Sequence, residues 1–253
     1  MDPYIDERFD EEMRGMDNAL AHSGRSLSWQ DLRRVHMIPV LAPYSCSGIA
    51  VWGNASADGH LYQIRNLDWE LGTGVQDHPT IVVYIPDQGL PHVNIGFAGM
   101  IGCIAGMNAK GIALSEIGDS PGSESPYELN GEHFATMFRR ILYDADGITE
   151  ALDMLEATPR IKRYHYVFGD GRRERRAVKI KAHAPETPPS DLIIWGDDDP
   201  TDPVFVDKGL GVFEDIVYHA EGRDSITHSH IQTHYGAYGP DEIIDLSRNV
   251  ATT

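Results

Sequence analysis

The chain has 253 residues, with 39 acidic against 21 basic side chains and a formal net charge of −18. That balance excludes a nucleic-acid binder, which needs a basic surface to displace counterions, and reads as a soluble, self-repelling surface. No run approaches the roughly 20 apolar residues of a membrane span. Met1 to Glu7 shows neither the basic nor the apolar region of a signal peptide, so a cytoplasmic protein is expected unless a removed leader preceded Met1.

Ile5, Phe9, Met13, Met16 and Leu20 fall at helical spacing, with acids in the first turn and Gly24 after the last. Ser28, with Asp31 three residues on, predicts a capping box for a second short helix, which Pro39 stops. At Cys46 the pattern changes to strands. Cys46–Gly53 is short and apolar, Asp58-Gly59 is a hairpin signal, and His60–Trp69 returns. Further strands are predicted at Thr80–Ile85, His92–Phe97, Gly102–Ala105 and Gly111–Ile117, the last two joined by a turn at Met107–Gly111. Helices at Glu132–Asp144 and Thr149–Ala157 follow, separated by Gly147. Strands Tyr164–Phe168 and Ala177–Ala182 flank a turn at Asp170-Gly171. A loop at Pro185–Pro189 leads to a strand at Asp191–Trp195, and Asp197–Asp202 reads as a solvated acidic loop. Helices at Ile226–Tyr235 and Asp241–Val250 complete the pattern. Strands and helices in alternating blocks predict sheets covered by helices, an α+β layered fold. The last helix runs into Ala251-Thr252-Thr253 with no closing polar tail, so a further strand beyond it is expected.

Two cysteines without C-x-x-C spacing argue against a disulfide framework or a cysteine zinc site. They leave a reactive thiol as one reading and a small buried apolar side chain as the other. Cys46 heads a strand, a D-G hairpin follows, and the returning strand ends Arg65-Asn66-Leu67-Asp68-Trp69. Arg65 lies nineteen residues after Cys46 and Asp68 three after Arg65. This arrangement resembles the cysteine N-terminal-nucleophile (Ntn) hydrolases, a group that includes penicillin V acylase, conjugated bile acid hydrolase, acid ceramidase and isopenicillin N acyltransferase. It is most similar to the isopenicillin N acyltransferase-like branch, in which a prepiece precedes the cysteine.

The resemblance implies a four-layer αββα sandwich, a helical propeptide or small subunit at 1–45 and a catalytic domain at 46–253. It implies autocatalytic cleavage between Ser45 and Cys46, followed by hydrolysis or acyl transfer on a linear amide of a small N-acylated molecule. A thiol of pKa ~8.5 needs a base, and cutting the chain supplies an α-amine of pKa ~7.7–8.0 on the same residue. By resemblance Cys46 is the nucleophile, Asp68 orients the amine, Arg65 favours the thiolate and Trp69 lies at the substrate. No cofactor is implied, and the prepiece is expected to stay bound. In a regular strand residues 65 and 68 point to opposite faces, so both reach Cys46 only if the strand bends or ends there. A surface Arg–Asp pair at a strand end is the plainer alternative.

Relatives place an oxyanion-hole asparagine near the end of the strand corresponding to Gly111–Ile117, where this chain has Ser115-Glu116-Ile117-Gly118. Asn108 reads as a hairpin-turn residue, so backbone N–H groups are the remaining donors. The fold without the chemistry, a binding or scaffold protein, is one alternative. A metal-binding protein using His219, His228, His230 and His234 is another, since 230 and 234 share a helix face. The sequon at Asn54-Ala55-Ser56 would matter only in a secretory setting.

Overall fold

The structure, a computed structural model, describes residues 4–36, 44–69, 71–118, 130–183, 192–206 and 208–251. Pro39, the Pro185–Pro189 loop, Asp191, Thr252 and Thr253 lie outside the described residues.

Two helices open the chain, α1 (Glu7–His22) and α2 (Trp29–Val35). The Ser28–Asp31 capping box forms as predicted, with the Asp31 N–H donating to Ser28 Oγ at 3.2 Å. Strands β1 (Ser45–Gly53) and β2 (Gly59–Asp68) make an antiparallel hairpin. Strands β3 (Pro79–Tyr84), β4 (His92–Phe97), β5 (Ala105–Asn108) and β6 (Ile112–Ile117) follow. Then come α3 (Phe134–Asp144), α4 (Ile148–Ala157), β7 (Tyr164–Asp170), β8 (Arg176–Ala182) and β9 (Leu192–Trp195). The chain continues through a single turn, α5 (Pro203–Val206), then β10 (Ile216–His219), α6 (Asp224–His234) and α7 (Pro240–Ala251).

Strands β3 to β9 form a seven-stranded antiparallel sheet in sequence order, and β10-β1-β2 form a three-stranded one. Side chains on successive strand residues point to opposite faces, and β1 is buried on both. Cys46, Ala50 and Trp52 join the core against the large sheet, while Ile49 and Val51 pack with Ile243, Leu246 and Val250 of α7. Phe134, Phe138, Ile141 and Leu142 of α3 cover Tyr164, Tyr166 and Phe168 on the outer face of the large sheet. The four layers are therefore αββα. Gly48 lets the sheets approach, since a Cβ there would stand 2.5 Å from Ile117 Cδ1 and 2.9 Å from its Cγ1.

Two elements differ from the sequence expectation, and Asp202, expected in a solvated acidic loop, is instead buried in an ion pair with Lys179. The strand expected at Gly102–Ala105 begins only at Ala105. Cys103 instead turns its N–H to the Ala135 carbonyl at 2.8 Å, a bond to α3 that takes residues 101–103 off the sheet. Strand β10, paired with β1 from Gly48↔His219 to Val51↔Ile216, carries no period long enough to be read locally.

Helices α1 and α2 dock through Phe9, Met13 and Leu32 onto Ile101, with Ile5, Met16, Trp29 and Tyr143 around them. The fully buried Arg139 of α3 joins the two parts. Its guanidinium donates to the Ile101 carbonyl at 2.6 Å, pairs with Glu12 of α1 at 3.0 Å, and lies 3.6 Å above the Tyr84 ring. Removing one member of such a pair strands the other's charge, so Arg139→Leu is expected to lower stability by about 3 kcal/mol. Urea unfolding checks it, and limited proteolysis should show residues 7–35 losing protection first.

Candidate active site

The β1–β2 hairpin fixes the site through its register, which sets Ser45 opposite Asp68, Cys46 opposite Leu67 and Gly48 opposite Arg65. Cys46 is fully buried at the second position of β1. Arg65, on the same face two positions along the ladder, reaches back over it, with Nη2 at 3.1 Å from the Cys46 sulfur. The same Nη2 donates to Glu116 Oε2 at 2.9 Å, and Nε donates to the Glu116 carbonyl at 2.6 Å. Glu116 therefore holds the guanidinium in place. Its other oxygen accepts the Tyr44 hydroxyl at 2.7 Å, which ties the residue two before Cys46 into the same network.

Burial pushes the Cys46 thiol up to about 12, against the Arg65 charge and the N–H groups of Gly118 and Asp68, which favour the thiolate. Burial also raises Glu116, with Arg65 and Tyr44 opposing it. Cys103 is pushed up to about 12, chiefly by burial, with Arg139 opposing it.

Asp68 sits at the end of β2. The strand does not bend to bring its carboxylate to the sulfur; the carboxylate pairs with Arg223, in the turn after β10, and keeps side-chain exposure of 35%. Its backbone N–H, by contrast, faces Cys46. Ser45, immediately before Cys46, donates its hydroxyl to Glu221 Oε2 at 3.2 Å. Trp69 packs at a tilt of 51° against Tyr44, with ring centroids 5.1 Å apart, and donates from Nε1 to Thr73 Oγ1 at 2.9 Å.

A cavity of about 320 Å³ opens beside this network. Arg65 and Tyr44 form its polar end, and Leu67, Trp69, Phe97 and Phe134 belong to its largely apolar wall. Leu27, Leu32 and Val35, all before Cys46, form part of the same wall.

The other expected residues take structural places. Asn108 accepts the N–H groups of Lys110 and Ile112 at 3.0 and 3.1 Å and donates to the Leu142 and Ala145 carbonyls, so it closes the hairpin and caps α3. The four histidines do not converge. His219 stacks on His165 at 4.0 Å between the sheets, whereas His230 of α6 bonds Tyr238, in the connection that follows, and Asp245 of α7. Among the described residues no group of three or more His, Cys, Asp or Glu comes together to hold a metal, and no helix is long and apolar enough to cross a membrane. Sequence reasoning did not assign roles to Glu116, Tyr44, Glu221 or Arg223. Glu116 alone left a local signal, a carboxylate inside a strand of otherwise uncharged residues (Ile-Ala-Leu-Ser-Glu-Ile).

The model of the acyl-coenzyme A:6-aminopenicillanic acid acyl-transferase family matches residues 55–190, a little over half the chain. The protein dcd1B of Dictyostelium discoideum is 31% identical over 159 residues, 62% of this chain and 30% of that protein. An uncharacterized protein of Archaeoglobus fulgidus is 22% identical over 200 residues, 72% of this chain and 33% of that protein. The chain thus spans about a third of the length of these curated relatives. Two solved structures share the fold. The Caenorhabditis elegans ortholog of N-acylethanolamine-hydrolyzing acid amidase superposes with a TM-score of 0.57 at 12% identity, covering 79% of this chain and 85% of that one. A mutant conjugated bile acid hydrolase of Clostridium perfringens gives 0.56 at 13%, covering 81% and 78%.

Because the thiolate is the reactive form, two buried thiols pushed up to about 12 are expected to resist iodoacetamide in the uncut chain at pH 7–8. Cleavage before Cys46 should open Cys46 alone to labelling, which peptide mass mapping reads. A raised thiol pKa also fixes a sign. Its contribution to stability is whole below the ordinary thiol value of 9.0 and is lost as pH climbs through about 12. Replacing Cys103 with Ala should flatten part of that alkaline loss in thermal melts.

Proposed function

The chain belongs to the acyl-coenzyme A:6-aminopenicillanic acid acyl-transferase family and has an Ntn-hydrolase fold, and on that premise we propose that it is a self-processing cysteine amidase or acyltransferase. The observation that carries the reading is the Arg65 guanidinium 3.1 Å from the Cys46 sulfur, at the polar end of an apolar cavity. Neither an ordinary buried cysteine nor a strand-end salt bridge requires that arrangement.

In this reading the Ser45–Cys46 bond is cut first, and the new α-amine takes the thiol proton. The sulfur attacks the carbonyl carbon of a linear N-acyl amide, the C–N bond breaks, and the proton passes to the departing amine. The acyl-thioester is then resolved by water, or by an amine acceptor in a transfer reaction. The N–H groups of Gly118 and Asp68, which face the sulfur, supply the oxyanion site in place of side-chain amides. Arg65 offsets the thiolate charge, and Asp68, one side of its carboxylate held by Arg223, orients the amine. The cavity volume and apolar wall suit an acyl group of aliphatic or aromatic character. The prepiece stays bound and lines the cavity through Leu27, Leu32 and Val35. Glu116 favours one competing reading, an inert protein of the same fold, because its two oxygens accept from Arg65 and Tyr44 and offer no donor to an oxyanion.

The wild-type chain should resolve into two fragments on a denaturing gel, with the larger beginning at Cys46, and Cys46→Ala should remain whole. Mature protein should release amine from N-acylated amines with apolar acyl chains. A single uncut species after days at neutral pH would leave the inert reading standing. Asp68→Asn keeps the shape and removes the charge, so kcat should fall about 10²–10⁴-fold with KM little changed. If the Asp68–Arg223 pair is only a strand-end salt bridge, stability shifts by about 0–1 kcal/mol and turnover survives. Arg65→Lys should also turn over poorly, because it loses the planar fork that spans the sulfur and Glu116.

A further inference from the structure

The turn Ala220-Glu221-Gly222-Arg223 joins β10 to α6 at the end of the β1–β2 hairpin. The Arg223 N–H donates to the Ala220 carbonyl at 3.0 Å, and both central residues have positive φ, 45° at Glu221 and 89° at Gly222. That pair is what a type I′ turn requires. Gly222 suits it, but Glu221 does not. A residue with a Cβ costs about 1–2 kcal/mol in the left-handed region, and such turns select asparagine, aspartate or glycine. A locally unfavourable residue at a fixed place invites the question of what its side chain does.

The Glu221 carboxylate is nearly buried, with 7% of the side chain exposed. Oε2 accepts the Ser45 hydroxyl at 3.2 Å, and Oε1 lies 3.7 Å from His219 Nε2. At the other end of the turn the Arg223 guanidinium holds Asp68. Ser45 and Asp68 face each other across β1 and β2. A single four-residue turn therefore grips Ser45, whose carbonyl belongs to the bond before Cys46, and Asp68, which faces Ser45 across the ladder.

We propose that Glu221 is a positioning residue for maturation, holding the Ser45 side chain so that the Ser45 carbonyl is presented to the Cys46 sulfur. The inference rests on the self-processing reading above. In that step the sulfur adds to the Ser45 carbonyl carbon and the C–N bond of Cys46 breaks. The thiol proton ends on the new α-amine, and the Ser45 acyl group is carried as a thioester. Water then adds its hydroxyl to that carbonyl and returns a proton to the sulfur. Glu221 touches neither reacting atom and acts through Ser45. A fixed Ser45 rotamer removes freedom that the attack would otherwise have to freeze out.

The test uses the full chain and follows the first-order rate of cleavage by intact mass, alongside urea unfolding of each variant placed in a Cys46→Ala background. Glu221→Gln keeps the side-chain length and removes the charge, whereas Glu221→Asn supplies a residue that the turn prefers. We expect both to slow cleavage at least tenfold, while Glu221→Asn unfolds at the same or a higher urea concentration. Ser45→Ala should slow cleavage comparably and add nothing when combined with Glu221→Gln. A merely structural glutamate predicts that cleavage follows stability. Glu221→Asn maturing at the wild-type rate, or additive losses in the double variant, would overturn the role. A wild type that stays whole defeats the self-processing reading and this role together. A wild type that matures alongside an equally fast Glu221→Gln defeats this role alone.

Discussion

The site is organised by the need to satisfy one buried cation. The Arg65 side chain is 5% exposed, and an unpaired guanidinium at that depth would cost several kcal/mol. Its partners come from three directions: the sulfur of β1, the carbonyl of Glu116 and the carboxylate of the same residue. That carboxylate is itself buried, and the Tyr44 hydroxyl satisfies its second oxygen. The hairpin, the end of β6 and the segment before Cys46 are thus fixed to one another by charge-assisted bonds in a poorly solvated space, where such bonds are stronger than in water.

This constraint shapes the chemistry available to the uncut chain. Burial raises the thiol more than Arg65 lowers it, so Cys46 stays protonated while its N-terminal neighbours are in place. Cutting the Ser45–Cys46 bond would change the local balance by adding a titratable amine and by giving the sulfur access to solvent. The segment that Glu116 and Glu221 hold is the one whose release, in the proposed self-processing, would produce both changes.

The helices before Cys46 are more than a cover. Phe9 and Met13 bury an apolar stripe that would otherwise face water, and Arg139 gives them a charged anchor reaching from α3 to Glu12. The cavity wall is shared between this segment and the body of the fold. Changes in Leu27, Leu32 or Val35 therefore bear on the shape of the cavity as directly as changes in Trp69 or Phe97.

The sequence alone determined the local elements wherever the signal was short in range. The Ser28–Asp31 box, the Asp58-Gly59 hairpin, the Asn108–Gly111 turn and the apolar stripe of α1 each rest on residues within a few positions of one another. The spacing of Cys46, Arg65 and Asp68 was legible for the same reason, since one hairpin register brings 46 and 65 to the same face. It also showed that residue 68 belongs to the other face, and the structure keeps that carboxylate there against Arg223. Strand β10, the Glu116 bracket on Arg65, and the turn that places Glu221 and Arg223 about Ser45 and Asp68 were decided only by tertiary structure. Their partners lie between 51 and 176 residues away, and no local period or turn chemistry encodes which distant strand end will close on a given side chain.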